Sequence, residues 1–296
     1  KEKQAEISLL IGRLYLSNGA YSQALNHLLT NLELYQLIQP QEKLATAYQF
    51  IGFAYEKLGS YEQAIEYQKK ALEILLPGQN KTLLAQTYQY LANNYWYLGD
   101  LNRAFKNQQK ALKLAQETGN QKQEVVAYST YGLIYLQIGE WEKALVMENQ
   151  ALLLAKRIEA WDEMAAAYNN LGLVYRQMHQ EEKALVNFQK ALEIDEKINS
   201  VRGKSYDYRN IGISYLRMGQ LAQALHYQKQ SLTLSRQTSN KENEAKVLYS
   251  IGLIYLKWPE RTKAFKNLQL ALKLAQQLGL KDIQWRAWWK MGQLYQ

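Results

Sequence analysis

A glycine followed three residues later by a tyrosine returns every 40 residues along this chain, and no other feature constrains the fold as tightly. The glycine stands at Gly12, Gly52, Gly132, Gly172, Gly212, Gly252 and Gly292, with Ala92 in the remaining place. The tyrosines are Tyr15, Tyr55, Tyr95, Tyr135, Tyr175, Tyr215, Tyr255 and Tyr295. A fixed period between ~20 and ~50 residues marks a repeat architecture, in which each unit buries itself against its neighbours. The 296 residues then escape the ~250–300-residue ceiling of a single core. One domain is expected, with repeats at about 2–41, 42–81, 82–121, 122–161, 162–201, 202–241 and 242–281 and a half repeat at 282–296.

Within a repeat the apolar residues keep helical spacing. Leu44, Tyr48, Ile51 and Tyr55 advance by four, three and four, so they share one stripe of a first helix, A. Four residues after the tyrosine comes Gly19, Gly59, Gly99, Gly139 or Gly219, suited to the left-handed conformation that ends a helix. His179 and Pro259 take that place in two repeats, whose turns are expected to close differently. A second helix, B, follows, with Ser60 or Asp100 placed to cap it. Ala24, Ala64, Ala104, Ala144, Ala184, Ala224 and Ala264 recur twelve residues after the helix-A position, where a small side chain lets the two helices cross closely. Ala71, Ala111, Ala151, Ala191 and Ala271, with Ser231, recur toward the next repeat.

The bulky residue, Leu, Gly and Tyr of helix A, then Gly, aromatic, Ala and Ala, resemble the tetratricopeptide repeat across essentially the whole chain. The usual period is ~34 residues; the longer form here is similar to the repeats of Pins-type adaptors, kinesin light chains and sensor modules of bacterial caspase-like peptidases or signalling ATPases. The resemblance implies an all-α, right-handed α-solenoid of about seven antiparallel helix pairs plus one terminal helix. It further implies that helix-A side chains line a concave groove for peptides or helices of other proteins.

Little else in the sequence carries chemistry. There is no cysteine, hence no disulfide or thiolate, and a reducing compartment is permitted; a cytoplasmic location is the expectation. No apolar run reaches the ~18 residues of a membrane helix, and no signal peptide is visible. The start at Lys1, already inside the repeat pattern, suggests a segment of a longer protein. His27, His179 and His226 have no metal-ligand spacing, and of the 16 glycines twelve fall on the two periodic positions and two more, Gly119 and Gly279, in the inter-repeat turn, so no phosphate loop is hidden among them. Neither catalytic nor metal residues are expected, nor a cofactor, and the chain reads as a non-enzyme. The periodic tyrosines, with Tyr48, Tyr88, Tyr128, Tyr168, Tyr208 and Trp288, read as core. The last helix, with Trp285, Trp288, Trp289 and Tyr295, is expected to leave some rings uncovered.

Carrying over the family's concave positions places Leu9, Phe50, Phe53, Tyr90, Asn93, Trp96, Tyr97, Leu133 and Leu136 in the groove of the first four repeats, where Glu6, Arg13, Glu56 and Lys57 cancel. In the later repeats the same positions hold Asn169, Asn170, Arg176, Tyr206, Arg209, Asn210, Arg217, Lys246, Tyr249, Lys257, Arg286, Trp289 and Lys290, seven of them basic and none acidic. The amides can bond an extended backbone and the arginines can take carboxylates bidentately. The leading reading is a scaffold that binds an acidic, partly hydrophobic peptide or helix. A sensor or autoregulatory module that holds another domain of its own polypeptide is the alternative. The net charge of +9 keeps RNA binding as a lower one, nucleic acid and membrane not being the expected partners.

Overall fold

The structure, a computed structural model, describes residues 1–38, 41–258 and 260–294. Among them stand fifteen helices and no strand. The chain divides into two compact units, Lys1–Leu154 and Ala155–Gln296. In the first, the A helices are α1 (Glu2–Ser17), α3 (Gln41–Lys57), α5 (Lys81–Tyr97) and α7 (Gln121–Ile138). Their B partners are α2 (Tyr21–Ile38), α4 (Tyr61–Leu75), α6 (Leu101–Glu117) and α8 (Trp141–Arg157), which extends past the unit's last residue. The second unit alternates α9 (Trp161–Gln177), α10 (Glu181–Lys197), α11 (Val201–Arg217), α12 (Leu221–Gln237), α13 (Lys241–Lys257) and α14 (Arg261–Gln277), and ends on α15 (Lys281–Gly292).

Burial explains the small-residue columns. All seven crossing alanines, Ala24 to Ala264, are fully buried. The glycine opposite makes room for a longer neighbour. A Cβ on Gly172 would lie 2.5 Å from Phe188, and one on Gly252 would lie 2.7 Å from Leu268. In both cases the filling side chain comes four residues after the alanine, so glycine and alanine together seat that residue between the helices.

Within each unit consecutive A helices touch one another, as α3 touches α5 and α11 touches α13. Among α2, α4 and α6, and among α10, α12 and α14, no B helix meets the next in this way. That asymmetry curves each unit with its A helices on the inner side.

Three local expectations change. His179 takes φ +59°, in the same left-handed region as Gly59 at +78°. Its N–H donates to Arg176 O at 3.2 Å, as Gly59 N–H does to Glu56 O at 3.0 Å, so this turn closes like the glycine turns. Pro259 lies outside the described residues. Asp100 caps α6, its Oδ1 accepting from Arg103 N–H at 2.9 Å, whereas the Ser60 side chain makes no capping bond. The periodic tyrosines are mostly half-buried. Their rings lie against helix B, Tyr55 stacking on Tyr67 at 5.5 Å and Tyr215 on Tyr227 at 5.4 Å. Trp288, expected in the core, is instead 71% exposed, beside Trp285 at 66% and Trp289 at 58%, because none of the described helices covers that face of α15; Tyr295 lies outside the described residues.

Candidate functional site

On the inner side of the first unit, neutral amides knit the A helices together. Gln49 Nε2 donates to Thr87 Oγ1 at 2.7 Å and to Leu83 O at 2.9 Å. Gln89 Nε2 repeats the move onto Thr130 Oγ1 at 2.7 Å and Asn93 Oδ1 at 3.1 Å. Each of these glutamines stands three residues before the crossing position, so its side chain points toward the next A helix. Asn93 is thereby engaged in the scaffold itself.

The aromatic residues expected in the groove cluster around this ladder. Phe53 packs on Tyr90 at 5.7 Å, and the Lys57 ammonium sits 4.7 Å over the Phe53 ring while pairing with Glu56 at 2.7 Å. Arg13 lies 5.3 Å over Phe50. Tyr90 accepts from Gln86 Nε2 at 3.0 Å, and burial pushes its phenol up to about 12, so it is neutral at all ordinary pH. Trp96 meets Tyr97 edge-on at 4.8 Å, and Tyr97 stacks on Tyr61 at 4.7 Å while remaining half exposed. The Trp96 Nε1–H is buried and has no acceptor. An orphan donor of this kind costs about 1–3 kcal/mol, which an acceptor on a ligand can offset.

In the second unit the same inner positions are ionic. Asn169 Nδ2 donates to Asp207 Oδ1, and Asn169 Oδ1 accepts from Asn210 Nδ2 at 2.6 Å. Arg209 donates from Nη1 to Asn243 Oδ1 and lies 5.3 Å over Tyr206; its burial holds its pKa below the usual arginine value. Arg176 lies 5.1 Å over Phe188, and its Nη1 is buried without an acceptor. Desolvation, then the charges of Arg217 and Arg209, bring Arg176 down to about 10. Asn170 is half-buried, and Lys257 is exposed. Tyr249 packs against the buried Ala245, Ala275 and Ile283, and burial raises its phenol.

Acidic residues outside the concave positions alter the expected all-cationic surface. Arg217 Nη1 pairs with Glu181 Oε1 at 3.0 Å, Lys246 with Glu242, and Arg286 with Asp282 at 2.8 Å. Glu242 and Asp282 stand four residues before their partners, one helical turn away, and Glu181 opens helix B of the preceding repeat.

Sequence reasoning passed over Asp195, Gly203 and Asp207. Asp207 occupies a column filled elsewhere by Ile7, Ala47, Thr87, Ala127, Ala167, Val247 and Ala287; Asp195 occupies one filled by Tyr35, Leu75, Ala115, Ala155, Ser235 and Ala275. A carboxyl in each of two buried columns was the available signal. Among the described residues no group of three or more His, Cys, Asp or Glu is placed to hold a metal ion.

Family models described as tetratricopeptide repeat match residues 3–77, 83–157, 165–198 and 207–277. The chain belongs to the tetratricopeptide repeat (TPR) family. No curated protein matches it. Among solved structures this TPR chain is similar to the Rap conjugation gene regulator of the plasmid pLS20 in complex with the Phr* peptide, at 20% identity and TM-score 0.74, over 92% of this chain and 73% of that one. It is also similar to a Rap protein complexed with Competence and Sporulation Factor, at 15% identity and TM-score 0.67, over 99% and 98% of the two chains. A third is a signal transduction ATPase with numerous domains from Pyrococcus horikoshii, which carries a TPR sensor; identity is 17% and TM-score 0.63 over 100% of this chain, which spans about half (52%) of that protein. Identities this low establish the shared TPR fold alone.

Proposed function

We propose that this TPR chain is a non-catalytic interaction scaffold whose inner A-helix surfaces bind an acidic, partly hydrophobic peptide or helix of a protein partner. Arg176 carries the reading. Its Nη1 is buried without an acceptor, and two further guanidiniums, Arg209 and Arg217, act on it electrostatically. Gathered like charges in a desolvated place are unfavourable on their own, and a carboxylate there would relieve both the repulsion and the missing hydrogen bond. In the first unit, Phe53, Tyr90 and Trp96 offer apolar contact and the Trp96 N–H offers a donor. The peptide in the pLS20 regulator's structure supports the general mode.

The test is an affinity pull-down from native extract followed by calorimetric titration of the captured segment at two ionic strengths. Arg176→Gln is expected to weaken binding ten- to a hundredfold, about 1.5–3 kcal/mol for a lost charge-assisted bond, and to flatten the salt dependence. Phe53→Ala is expected to weaken it with the salt slope kept. Binding undiminished in Arg176→Gln would remove the acidic partner from the reading. A captured nucleic acid in place of a protein would favour the net charge of +9 as the recognition element.

A second reading, a sensor within a larger polypeptide, draws support from the ATPase whose TPR sensor shares this fold. A peptidase or ATPase domain encoded in the same reading frame, and binding of that domain by this one, is its test.

A further inference from the structure

Three departures from the repeat pattern converge at one place in the second unit. Asp195 on α10 and Asp207 on α11 are both buried, where the equivalent columns are mostly apolar. Gly203 makes the space for Asp195. A Cβ at that position would fall 1.8 Å from Asp195 Oδ2, and other repeats carry Lys43, Leu83 or Gln123 there. The Asp195 carboxyl thus rests on α11 at Gly203, one helical turn before Asp207, and each carboxyl acts electrostatically on the other. Asn169 Nδ2 serves Asp207 Oδ1, but Asp207 Oδ2 is buried without a donor. Two buried carboxylates in contact lack a hydrogen between them, and one proton supplies it.

We propose that Asp195 and Asp207 share one proton, and that this proton holds the Asn169 and Asn210 amides in the orientation presented at the inner face of the second unit. The chain of contacts is direct: Asp207 accepts from Asn169, and Asn169 accepts from Asn210. Loss of the proton sets two buried negative charges against each other and changes what Asn169 bonds to. Ligand binding at that face is then proton-linked; this last step alone rests on the scaffold reading above.

The surroundings favour the protonated form. Burial, then the neighbouring Asp195 charge, pushes Asp207 up to about 9, and Asp195 is raised chiefly by burial. Asp162 of α9 raises Asp195 further, while Lys204 of α11 and the Ser200 hydroxyl act in the opposite sense. Tyr208 also feels Asp207, and its O–H is directed to Glu196. From α13, Asn243 faces Arg209 instead. Between the ordinary carboxyl range near ~4 and about 9, the folded chain keeps a proton that the unfolded chain releases, so stability falls as pH rises through that window.

Spectra of the full chain labelled with nitrogen-15 in asparagine decide the matter. The Asn169 and Asn210 side-chain signals, assigned from Asn169→Ala and Asn210→Ala, are expected to move together as pH rises from roughly 6 to 10, with an alkaline midpoint, and to stay fixed in Asp207→Asn. The melting temperature is expected to fall over the same range in the wild type and to lose that slope in Asp207→Asn or Asp195→Asn. Static wild-type signals, signals that move equally in Asp207→Asn, or a wild-type melting temperature constant over this range would overturn the shared proton, and the last readout needs no variant to fold. For the linkage, a labelled hexaglutamate peptide is expected to bind several-fold more weakly near pH 9 than near pH 6.5 in the wild type and equally at both in Asp207→Asn. A peptide that binds neither chain counts against the acidic-partner reading and the linkage, while the shared proton is decided by the amide titration.

Discussion

The two units follow one backbone pattern and differ in charge. Residues 1–154 hold 14 Lys and Arg against 14 Asp and Glu, whereas residues 155–296 hold 22 against 13, so the whole net charge of +9 falls in the second unit. The same contrast recurs in the inner column three residues before the crossing position. There the first unit has Gln49 and Gln89, and the second has Asn169 and Arg209. A carboxamide both donates and accepts, so a ladder of amides can satisfy itself. Guanidinium only donates and carboxylate only accepts, so a buried ionic network depends on an exact count of partners. Both units leave buried polar atoms unmet, among them Gln68 Oε1, Gln108 Oε1 and Trp96 Nε1 in the first and Arg176 Nη1 and Asp207 Oδ2 in the second, and the last two are where an anion or a proton can enter.

The strongest way to break this comparison is to fill the space that only the second unit has. Gly203→Leu installs the residue that Leu83 already is in the first unit, but against Asp195 rather than a neighbour that accommodates it. A loss of about 3 kcal/mol or more is expected in urea unfolding, with faster hydrogen exchange confined at first to α9–α12. Exchange that quickens equally over α1–α6 would show that the two units do not respond separately.

Next comes Gly172→Leu, which forces Phe188 from its seat, at an expected cost of about 1–3 kcal/mol; Ala184→Leu at the same crossing should cost a similar amount. Unchanged melting of both variants would remove the crossing from the account of stability.

Alkaline titration sharpens the contrast. With Tyr90 raised to about 12, the folded first unit keeps a proton that the unfolded chain gives up near ~10, so this contribution to stability is lost only between about 10 and about 12. Hydrogen exchange in α3–α6, corrected for its intrinsic pH dependence, is expected to reveal constant stability from roughly pH 6 to 9, where the second unit weakens. A parallel decline in both units would mean that the Asp195–Asp207 pair is not its cause.

The smallest expected effect is a control. Lys143 over Tyr135 at 5.8 Å and Lys183 over Tyr175 at 5.6 Å are the same contact in the two units. Replacing either lysine by glutamine should cost an equal amount of about 0.5–1 kcal/mol by thermal melting. Unequal losses would mean that the units' net charge reaches even these exposed pairs.

Much of the fold was legible because its determinants recur. Gly172 and Ala184 state the helix crossing in every repeat, and the tyrosine column marks the face toward helix B. Phe53 and Tyr90 were assigned one by one to the groove, and their ring contact at 5.7 Å was not anticipated, because it joins different positions of successive repeats. What escaped was whatever occurs once. Reading a periodic sequence rewards the residue that returns, so Asp195 and Asp207, which break their columns, passed as noise. Glu181 was hidden differently, since it meets Arg217 across 36 residues from a different helix type. His179 shows the limit of residue-type rules, because the turn's hydrogen bonds hold it at φ +59° although it lacks glycine's freedom.

The uncovered end of α15 has an experimental consequence of another kind. The seven tryptophans are unevenly distributed, and Trp258, Trp285, Trp288 and Trp289 are 37%, 66%, 71% and 58% exposed. Intrinsic emission from residues 1–296 is therefore weighted toward the solvent-bathed indoles of Trp258 and α15, red-shifted before any unfolding begins. A quencher such as iodide, drawn to the surrounding lysines and arginines, would read that end first. Helical circular dichroism reads the stacked repeats, so the two optical signals part company whenever the surroundings of α15 change without loss of helix, and their difference is a ready gauge of what docks there.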